Sequence, residues 1–176
     1  MCFIAADKVR QARIASTTQS SFYHSNYTAT NLLNNKGLSG MFKGDNCART
    51  NYGPTPTWFS FELEIPLKLF SVQITPRLDC CPERSQNISV TIGPSVEYDP
   101  DEHLCSTFDL VLERGLTEYK CTGNLHQGSF VKISRHVNGS DGIIDICEVK
   151  IFTVGGNHNL KQSYYLCTLL WNGTQV

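Results

Sequence analysis

The sequence alternates between short runs of β-forming residues and clusters of turn-forming residues, and it shows little helical periodicity. Gly, Pro, Asn and Asp separate six such runs: Trp58–Leu63, Phe70–Thr75, Ile88–Ile92, Ser106–Leu112, Phe130–Ser134 and Cys147–Val154. Several short strands with turn chemistry between them predict an all-β fold, a β-sandwich or jelly roll. The 176 residues suit one ordinary domain. We expect this domain over residues 1–155 and a C-terminal extension over 156–176.

The segment from Asn31 to Pro56 differs from the rest of the chain. It is rich in Asn, Gly and Lys and has little periodicity. A structureless loop of this length is uncommon in a compact domain, unless it is functional or held by other parts of the fold. We therefore expect the segment to be either functional or fastened to the domain.

Composition and motifs favour a binding protein over an enzyme. The formal net charge is −1, which gives no overall basic surface for nucleic acid. We find no apolar run as long as a membrane span. The five histidines lie in no catalytic motif that we recognise, and no serine lies in a G-x-S-x-G elbow.

The cysteines indicate an oxidising compartment. There are eight, an even number that allows full pairing: Cys2, Cys47, Cys80, Cys81, Cys105, Cys121, Cys147 and Cys167. They form no CxxC pair and no Cys/His cluster at zinc spacing, so a disulfide framework in a secreted protein is the better interpretation. Four N-glycosylation sequons give weaker support, at Asn26, Asn87, Asn138 and Asn172.

The stretch RLDCCPER, residues 77–84, contains two adjacent cysteines between two arginines. Cys80 and Cys81 either bond to different partners or form a vicinal disulfide. A vicinal bridge is strained, because neighbouring Cα atoms lie about 3.8 Å apart and ordinary disulfides prefer roughly 4.4–6.8 Å. Such strain tends to persist at functional sites.

The charged residues of this stretch suggest what a site here would bind. If the preceding strand continues, Arg77 and Asp79 point to the same face and the carboxylate can hold the guanidinium. Arg84 returns after a turn at Pro82. Two guanidiniums beside an apolar disulfide would suit a sugar, which has acceptor oxygens and an apolar patch. The alternative is a surface salt bridge between Arg77 and Asp79, with Arg84 solvated.

These residues match the R-x-D-C-C-x-x-R motif of the F-type lectins, the fucose-binding fucolectins. The resemblance covers about residues 8–153 and includes five segments in the family's order. The segments are KVRQARIASTTQSS (opening strand), NLLNNKGLSGMFKGDNCART (calcium loop), TPTWFSFEL (a strand), SVQITPRLDCCPERSQNISVTIG (central motif) and DICEVKIF (a late strand). The resemblance implies a β-sandwich jelly roll that binds fucosylated glycans of cell surfaces or glycoproteins without catalysis.

The resemblance also implies a disulfide pattern, which is Cys80–Cys81, Cys105–Cys121 and Cys47–Cys147. Cys2 and Cys167 remain outside it. A Cys2–Cys167 bridge is the simplest completion and would tether the C-terminal extension, whereas intermolecular bonding is the alternative. A homo-oligomer is among the assemblies that the sequence allows.

In the family the two motif arginines donate to the sugar, and the vicinal disulfide packs on its ring. Those roles fall on Arg77, Arg84 and the pair Cys80–Cys81, with Asp79 as the orienting acid. An aromatic patch in the family receives the fucose methyl group. Phe42 lies at one such position, and Tyr23 and His24 correspond to another; for Phe42 and Tyr23, ordinary packing is the alternative.

Arg49 departs from the family pattern. The sequence reads CART where the family has C-[ST]-H-T, so Arg49 replaces a histidine that reaches the axial hydroxyl of fucose. Arginine can still donate, but it is longer and always charged. A third positive charge could reject neutral fucose or favour an acidic or sulfated sugar. Alternatively, Arg49 turns to solvent or the site is inactive, leaving an interaction or adhesion module with altered or lost fucose binding.

The resemblance implies one structural calcium ion. The matching positions are Asn31 and Lys36 (backbone oxygens), Asn34 (side chain), Asn46 (oxygen), Cys147 (backbone oxygen) and Glu148 (carboxylate). Calcium takes six to eight oxygen ligands. The family's loop aspartate is Asn34 here and the loop is one residue longer, and both changes weaken the expected site. The alternative is a loop held by Cys47–Cys147 and its own hydrogen bonds.

Overall fold

The computed structural model describes residues 8–37, 40–42, 46–52, 56–97, 101–109, 115–137 and 142–155. Cys2, Cys167, the extension over 156–176 and the sequons at Asn138 and Asn172 lie outside these residues. The other two sequon asparagines, Asn26 and Asn87, are exposed. Within the described part of the chain, no helix is both long enough and apolar enough to cross a membrane.

The described residues form nine strands, so the prediction of an all-β fold is confirmed. The strands are β1 (Arg10–Gln11), β2 (Ile14–Gln19), β3 (Ala48–Arg49), β4 (Thr57–Pro76), β5 (Ile88–Gly93), β6 (His103–Phe108), β7 (Thr117–Lys120), β8 (Gln127–Arg135) and β9 (Asp145–Val154). The strand order is β1-β9-β4-β8-β5-β6, with β2 and β7 also paired to β4 and β3 to β9. The pairs are antiparallel. Two short 3₁₀ helices, Ala29–Leu33 and Pro82–Ser85, lie in the connections.

The two separate strands expected at Trp58–Leu63 and Phe70–Thr75 are one strand of 20 residues, β4. Its N-terminal half pairs with β2 and β8, and its C-terminal half pairs mainly with β7 and β9. The pairing with β8 shifts register between Glu62 and Leu67, around Pro66, which has no N–H to donate to a neighbouring strand. β4 therefore passes from one layer of the sandwich to the other.

The other predicted strands have different bounds. β6 begins at His103 and ends at Phe108, so the strand expected over Ser106–Leu112 starts earlier than predicted. β9 begins at Asp145, two residues before the predicted start. β3 and β7 were not predicted, because strands of two and four residues are too short for alternation to be recognised.

The core lies between the two layers and is built from alternating positions of the long strands. Side chains two residues apart point to the same face of a sheet. In this way β4, β5, β8 and β9 supply residues that are at most 3% exposed: Phe59, Phe61, Leu63, Ile88, Val90, Ile92, Val131, Ile133, Val149 and Ile151.

The segment between β2 and β4 (residues 20–56, called the polar segment below) includes the Asn31–Pro56 stretch and is fastened to this core at several points. Ala29 and Leu32 of the first 3₁₀ helix are buried in it. Ala48 and Arg49 pair with Ile146 and Asp145 of β9. The disulfide Cys47–Cys147 joins the same segment to β9. The structure also contains the disulfides Cys105–Cys121 and Cys80–Cys81.

Candidate functional site

The loop after β4 holds a paired arginine and aspartate. Arg77 donates from Nε to Asp79 Oδ1 at 2.9 Å and from Nη2 to Asp79 Oδ2 at 3.1 Å. The hydrogen bonds from Arg77, helped by one from the Phe42 backbone, lower the pKa of the Asp79 carboxyl. The pKa of Arg77 is raised: partial burial lowers it, but the hydrogen bonds and charges of Asp79 and Asp145 outweigh that effect. The arginine side chain is thereby fixed in one orientation.

The vicinal disulfide lies between this pair and Arg84. Cys81 has φ +65°, in the left-handed region that non-glycine residues rarely adopt. Its carbonyl accepts a hydrogen bond from Arg84 N at 3.1 Å, which starts the 3₁₀ helix Pro82–Ser85. The strained turn therefore reverses the chain within four residues and brings Arg84 back towards Arg77.

The two arginines and Arg49 meet at Asp145, a residue that sequence reasoning did not identify. Arg84 Nη1 donates to Asp145 Oδ2 at 3.1 Å, Arg77 Nη1 lies 3.5 Å from the same oxygen, and Arg49 Nε lies 3.4 Å from Oδ1. The Asp145 side chain is 0% exposed. Burial raises its pKa, and the charges of the three arginines oppose that rise. The one available signal was an acid within the apolar run IIDIC.

Arg49 reaches this point because β3 is paired with β9. Arg49 and Asp145 are directly opposite in register. The guanidinium lies over the ring of Tyr23, with its carbon 3.9 Å from the ring centroid. A cation over an aromatic face is attracted by the ring quadrupole. Arg49 is buried, and the possibility that it turns away to solvent is wrong.

Aromatic residues line the same arginines. Phe42 lies under Arg77, 4.1 Å from ring centroid to guanidinium carbon, and packs on Tyr27 with a centroid distance of 4.5 Å. Tyr27 was not predicted. His24 is exposed, and its ring lies 6.1 Å from that of Tyr27. Among the described residues no contact joins His24 to an arginine. Phe42 and Tyr23 are thus brought to the site, whereas His24 lies at its edge.

Gln19 at the end of β2 fixes the backbone on which Tyr23 and Arg49 stand. Its Oε1 accepts from Ala29 N at 2.6 Å, and its Nε2 lies within hydrogen-bond distance of the carbonyls of Ser21 (2.7 Å) and Arg49 (3.3 Å). Its side chain therefore joins three segments. Buried amides that satisfy several backbone groups restrict a loop to one conformation.

The residues around Gly40 join the polar segment to the arginine loop. Leu78 N donates to the Gly40 carbonyl at 2.7 Å, and Phe42 N donates to Asp79 Oδ1 at 3.2 Å. Gly40 has φ +67°, and a Cβ atom there would overlap the Leu78 side chain. Only glycine allows this close approach without displacement. The close approach at Gly40 keeps the Phe42 ring next to the arginine loop.

The oxygens expected to bind calcium only partly converge. A Cβ atom on Gly37 would overlap the carbonyl oxygens of both Cys147 and Asn46, so these two oxygens lie close to one another. Glu148 is buried, and its Oε2 has no hydrogen-bond partner in the described part of the chain. Burial raises the pKa of the Glu148 carboxyl, against the effect of backbone N–H groups of Asn35 and Gly37.

The Asn34 side chain, which was expected to bind calcium, makes another contact. Asn34 Oδ1 accepts a hydrogen bond from Lys36 N at 2.8 Å. Asn31 Nδ2 donates to the carbonyls of Asn26 (2.6 Å) and Cys47 (3.0 Å). These bonds do not involve the Asn31 backbone oxygen, which is the calcium ligand that the sequence predicts. No group of three or more His, Cys, Asp or Glu side chains within the described ranges is arranged to hold a metal ion. A buried carboxylate oxygen that has no hydrogen-bond partner among the described residues is compatible with a hard cation.

Comparisons with known proteins identify the fold. No protein-family model matches the sequence. No curated protein matches it either. Among solved structures, the chain resembles a serum F-lectin (fucolectin) of the striped bass Morone saxatilis, with a TM-score of 0.67 and 22% identity over 80% of this chain and 45% of that one.

Two bacterial modules have the same architecture. A fucose-binding module of Streptococcus pneumoniae gives a TM-score of 0.61 and 22% identity, over 78% of this chain and 93% of that one. A family 32 carbohydrate-binding module of C. perfringens NanJ, solved with galactose, gives a TM-score of 0.59 and 14% identity, over 81% of this chain and 99% of that one. The domain is therefore a β-sandwich of the type found in carbohydrate-binding modules. More particularly, it has the fold of the F-type lectins, as the sequence motifs predict.

Proposed function

We propose that this chain is an extracellular lectin domain that binds fucose-type sugars of glycans on cell surfaces or glycoproteins and catalyses no reaction. The observation that carries the proposal is the convergence of Arg49, Arg77 and Arg84 on the buried Asp145, beside the vicinal disulfide. The likeness to an F-lectin and to a fucose-binding module supports it.

The chemistry of the site suits a sugar. Arginine only donates hydrogen bonds, and it does so from a rigid planar fork, which matches the acceptor oxygens of a hydroxylated ring. Asp79 and Asp145 hold the forks before any ligand arrives, so little side-chain entropy remains to be lost on binding. The partly exposed disulfide and Phe42 supply apolar surface for the ring and for a methyl group.

Location outside the cell and a structural calcium ion are parts of this proposal. Three disulfides within the described residues fit an oxidising compartment. Glu148 and the carbonyls of Asn46 and Cys147 would hold the ion, which would fasten the polar segment to β9. This assignment is supported by Glu148 Oε2, for which the described ranges contain no hydrogen-bond partner.

Removing either motif arginine tests the proposal. We expect Arg77→Ala and Arg84→Ala to abolish binding to a fucosylated glycan array, because each removes a guanidinium whose donors the proposed sugar contact uses. Arg13→Ala is the matched control, since its side chain is 84% exposed and its pair with Glu64 is 3.9 Å long. Thermal melting checks that the variants are folded. Unchanged affinity in both variants would show that the ligand binds elsewhere.

A second candidate is an interaction module that keeps the fold but does not bind fucose. It is favoured by Arg49, which stands where the F-type lectin motif has histidine and is paired with Asp145 and stacked on Tyr23. If the folded native chain binds no fucosylated glycan with calcium present, and Arg49→His restores binding, this second function is supported instead.

A further inference from the structure

The arginine cluster has more positive than negative charge. Within the described part of the chain, three guanidiniums (Arg49, Arg77 and Arg84) face two carboxylates (Asp79 and Asp145), which leaves 3 − 2 = +1. Glu83 lies 3.9 Å from Arg84 Nε, but its side chain is 55% exposed, so water screens the pair. The whole chain has a formal net charge of −1, so the local excess does not reflect a generally basic protein.

Among the described residues, Arg49 is the arginine of the cluster that makes no hydrogen bond to a carboxylate. Arg77 has both oxygens of Asp79 as acceptors, and Arg84 has Asp145 Oδ2. Arg49 has the remaining oxygen, Asp145 Oδ1, at 3.4 Å and without hydrogen-bond geometry. Its Nε is buried and has no hydrogen-bond partner among the described residues. A guanidinium has five N–H donors, so Arg49 can still donate to a ligand.

Arg49 is nevertheless held in position. Its backbone N donates to the Tyr27 carbonyl at 3.2 Å, and its own carbonyl accepts from Tyr23 N at 3.4 Å. The Tyr23 ring supports the guanidinium face, and the side chain is only 9% exposed. A cation that is fixed and partly shielded from water attracts an anion more strongly than one on a flexible surface chain.

We propose that the preferred ligand is an anionic glycan, with a sulfate ester or carboxylate beside the sugar that Arg77 and Arg84 bind. This inference rests on the proposed function of the same site. A neutral hydroxyl offers Arg49 one acceptor and no charge. A sulfate or carboxylate offers two oxygens that match the planar fork and neutralises the excess charge.

Calorimetry on the full chain with matched ligands tests the inference. The probes are a methyl glycoside of fucose or galactose, the same sugar with one sulfate, and a glycoside that ends in a uronic or sialic acid. We expect at least one anionic probe to bind about tenfold more tightly than the neutral parent, as for a charge-assisted bidentate pair, and to lose this advantage at high salt. The sulfated and carboxylated probes distinguish the two anion types.

Substitutions of Arg49 test whether this residue causes the preference for the anionic probe. Arg49→Gln should weaken binding of the anionic probe more than that of the neutral parent, so that their affinity ratio falls towards one. Arg49→Lys keeps the charge without the fork and should retain part of the ratio. Arg13→Gln changes an exposed arginine that is not part of the cluster, and it should leave the affinity ratio unchanged. Melting curves identify any variant that fails to fold.

The outcomes separate the inference from the function on which it rests. Neutral sugars bound as tightly as anionic ones, or a preference that survives Arg49→Gln, would overturn the inference and leave the sugar-binding function standing. If neither kind of sugar binds the folded chain, the proposed function fails and the inference fails with it.

Discussion

Asp145 is a fully buried carboxylate within 3.5 Å of three guanidiniums. Removing a carboxylate from water costs several kcal/mol, and only close, well-oriented partners offset such a cost. The arginines are subject to the same penalty, since their side chains are 9–14% exposed. Arg84 meets this condition through its hydrogen bond to Asp145, and the four charged side chains restrict one another's positions without a ligand.

Asp79 should make stability depend on pH in the acid range. Its pKa is lowered below 3.8, mainly by the hydrogen bonds from Arg77. The folded state therefore binds this proton less readily than the unfolded state, so the carboxylate stabilises the fold above pH 3.8, and that contribution disappears as the pH falls through the lowered pKa. We expect Asp79→Asn to lower Tm at about pH 6 and to have a diminishing effect towards about pH 2.

Melting curves of the native chain and Asp79→Asn across this range check the prediction. Glu64→Gln serves as control, because its pair with Arg13 is exposed and contributes little to stability. A Tm difference for Asp79→Asn that stays constant down to the lowest pH would contradict the assignment.

The polar segment between β2 and β4 contributes residues to both the arginine cluster and the proposed calcium site. Its residues Tyr23 and Phe42 lie against Arg49 and Arg77. Gly37 packs against the oxygens of Asn46 and Cys147. Anything that orders this segment should therefore also order the arginine cluster.

Calcium should stabilise the fold through this segment. A ligand that binds only the native state raises stability by about 2.7 kcal/mol at a hundredfold excess over its Kd. We expect a chelator to lower Tm and added Ca²⁺ to restore it, with no such response in Glu148→Gln. Glu64→Gln is the control carboxylate and should respond like the native chain. A native Tm that chelation leaves unmoved would exclude a calcium site that contributes to stability.

At the scale of the whole molecule, the disulfide Cys47–Cys147 joins residues 100 apart, whereas Cys105–Cys121 joins residues 16 apart. Cross-links that close longer loops restrict the unfolded chain more. We expect replacement of both Cys47 and Cys147 by Ala to lower the free energy of unfolding by about 2–5 kcal/mol. The same change at Cys105 and Cys121 should cost less. Urea denaturation measures both, and an equal or reversed order would argue against loop closure as the cause.

Alternation of apolar residues was sufficient to predict the fold class, because the period of a strand is local and visible in the sequence. It was not sufficient to predict that β4 is continuous. A bend around Pro66 and a break between two strands have the same local signature, and they differ only in which strands pair on either side. Short strands such as β3 form because β9 offers a partner, so their own residues carry too little signal.

The amino-acid sequence was enough to predict the all-β class and the cluster RLDCCPER, with its two arginines, its orienting acid and its adjacent cysteines. These residues are neighbours in the chain, so their proximity follows from covalent geometry. The central place of Asp145 in the site, 61 residues beyond Arg84 in the chain, is visible only in the folded structure. The folded structure also decided that Arg49 points into the site instead of into solvent. The first depends on the pairing of β4 with β9, and the second depends on the pairing of β3 with β9. The energy of these long-range contacts comes from the assembled sheet and not from any local pattern.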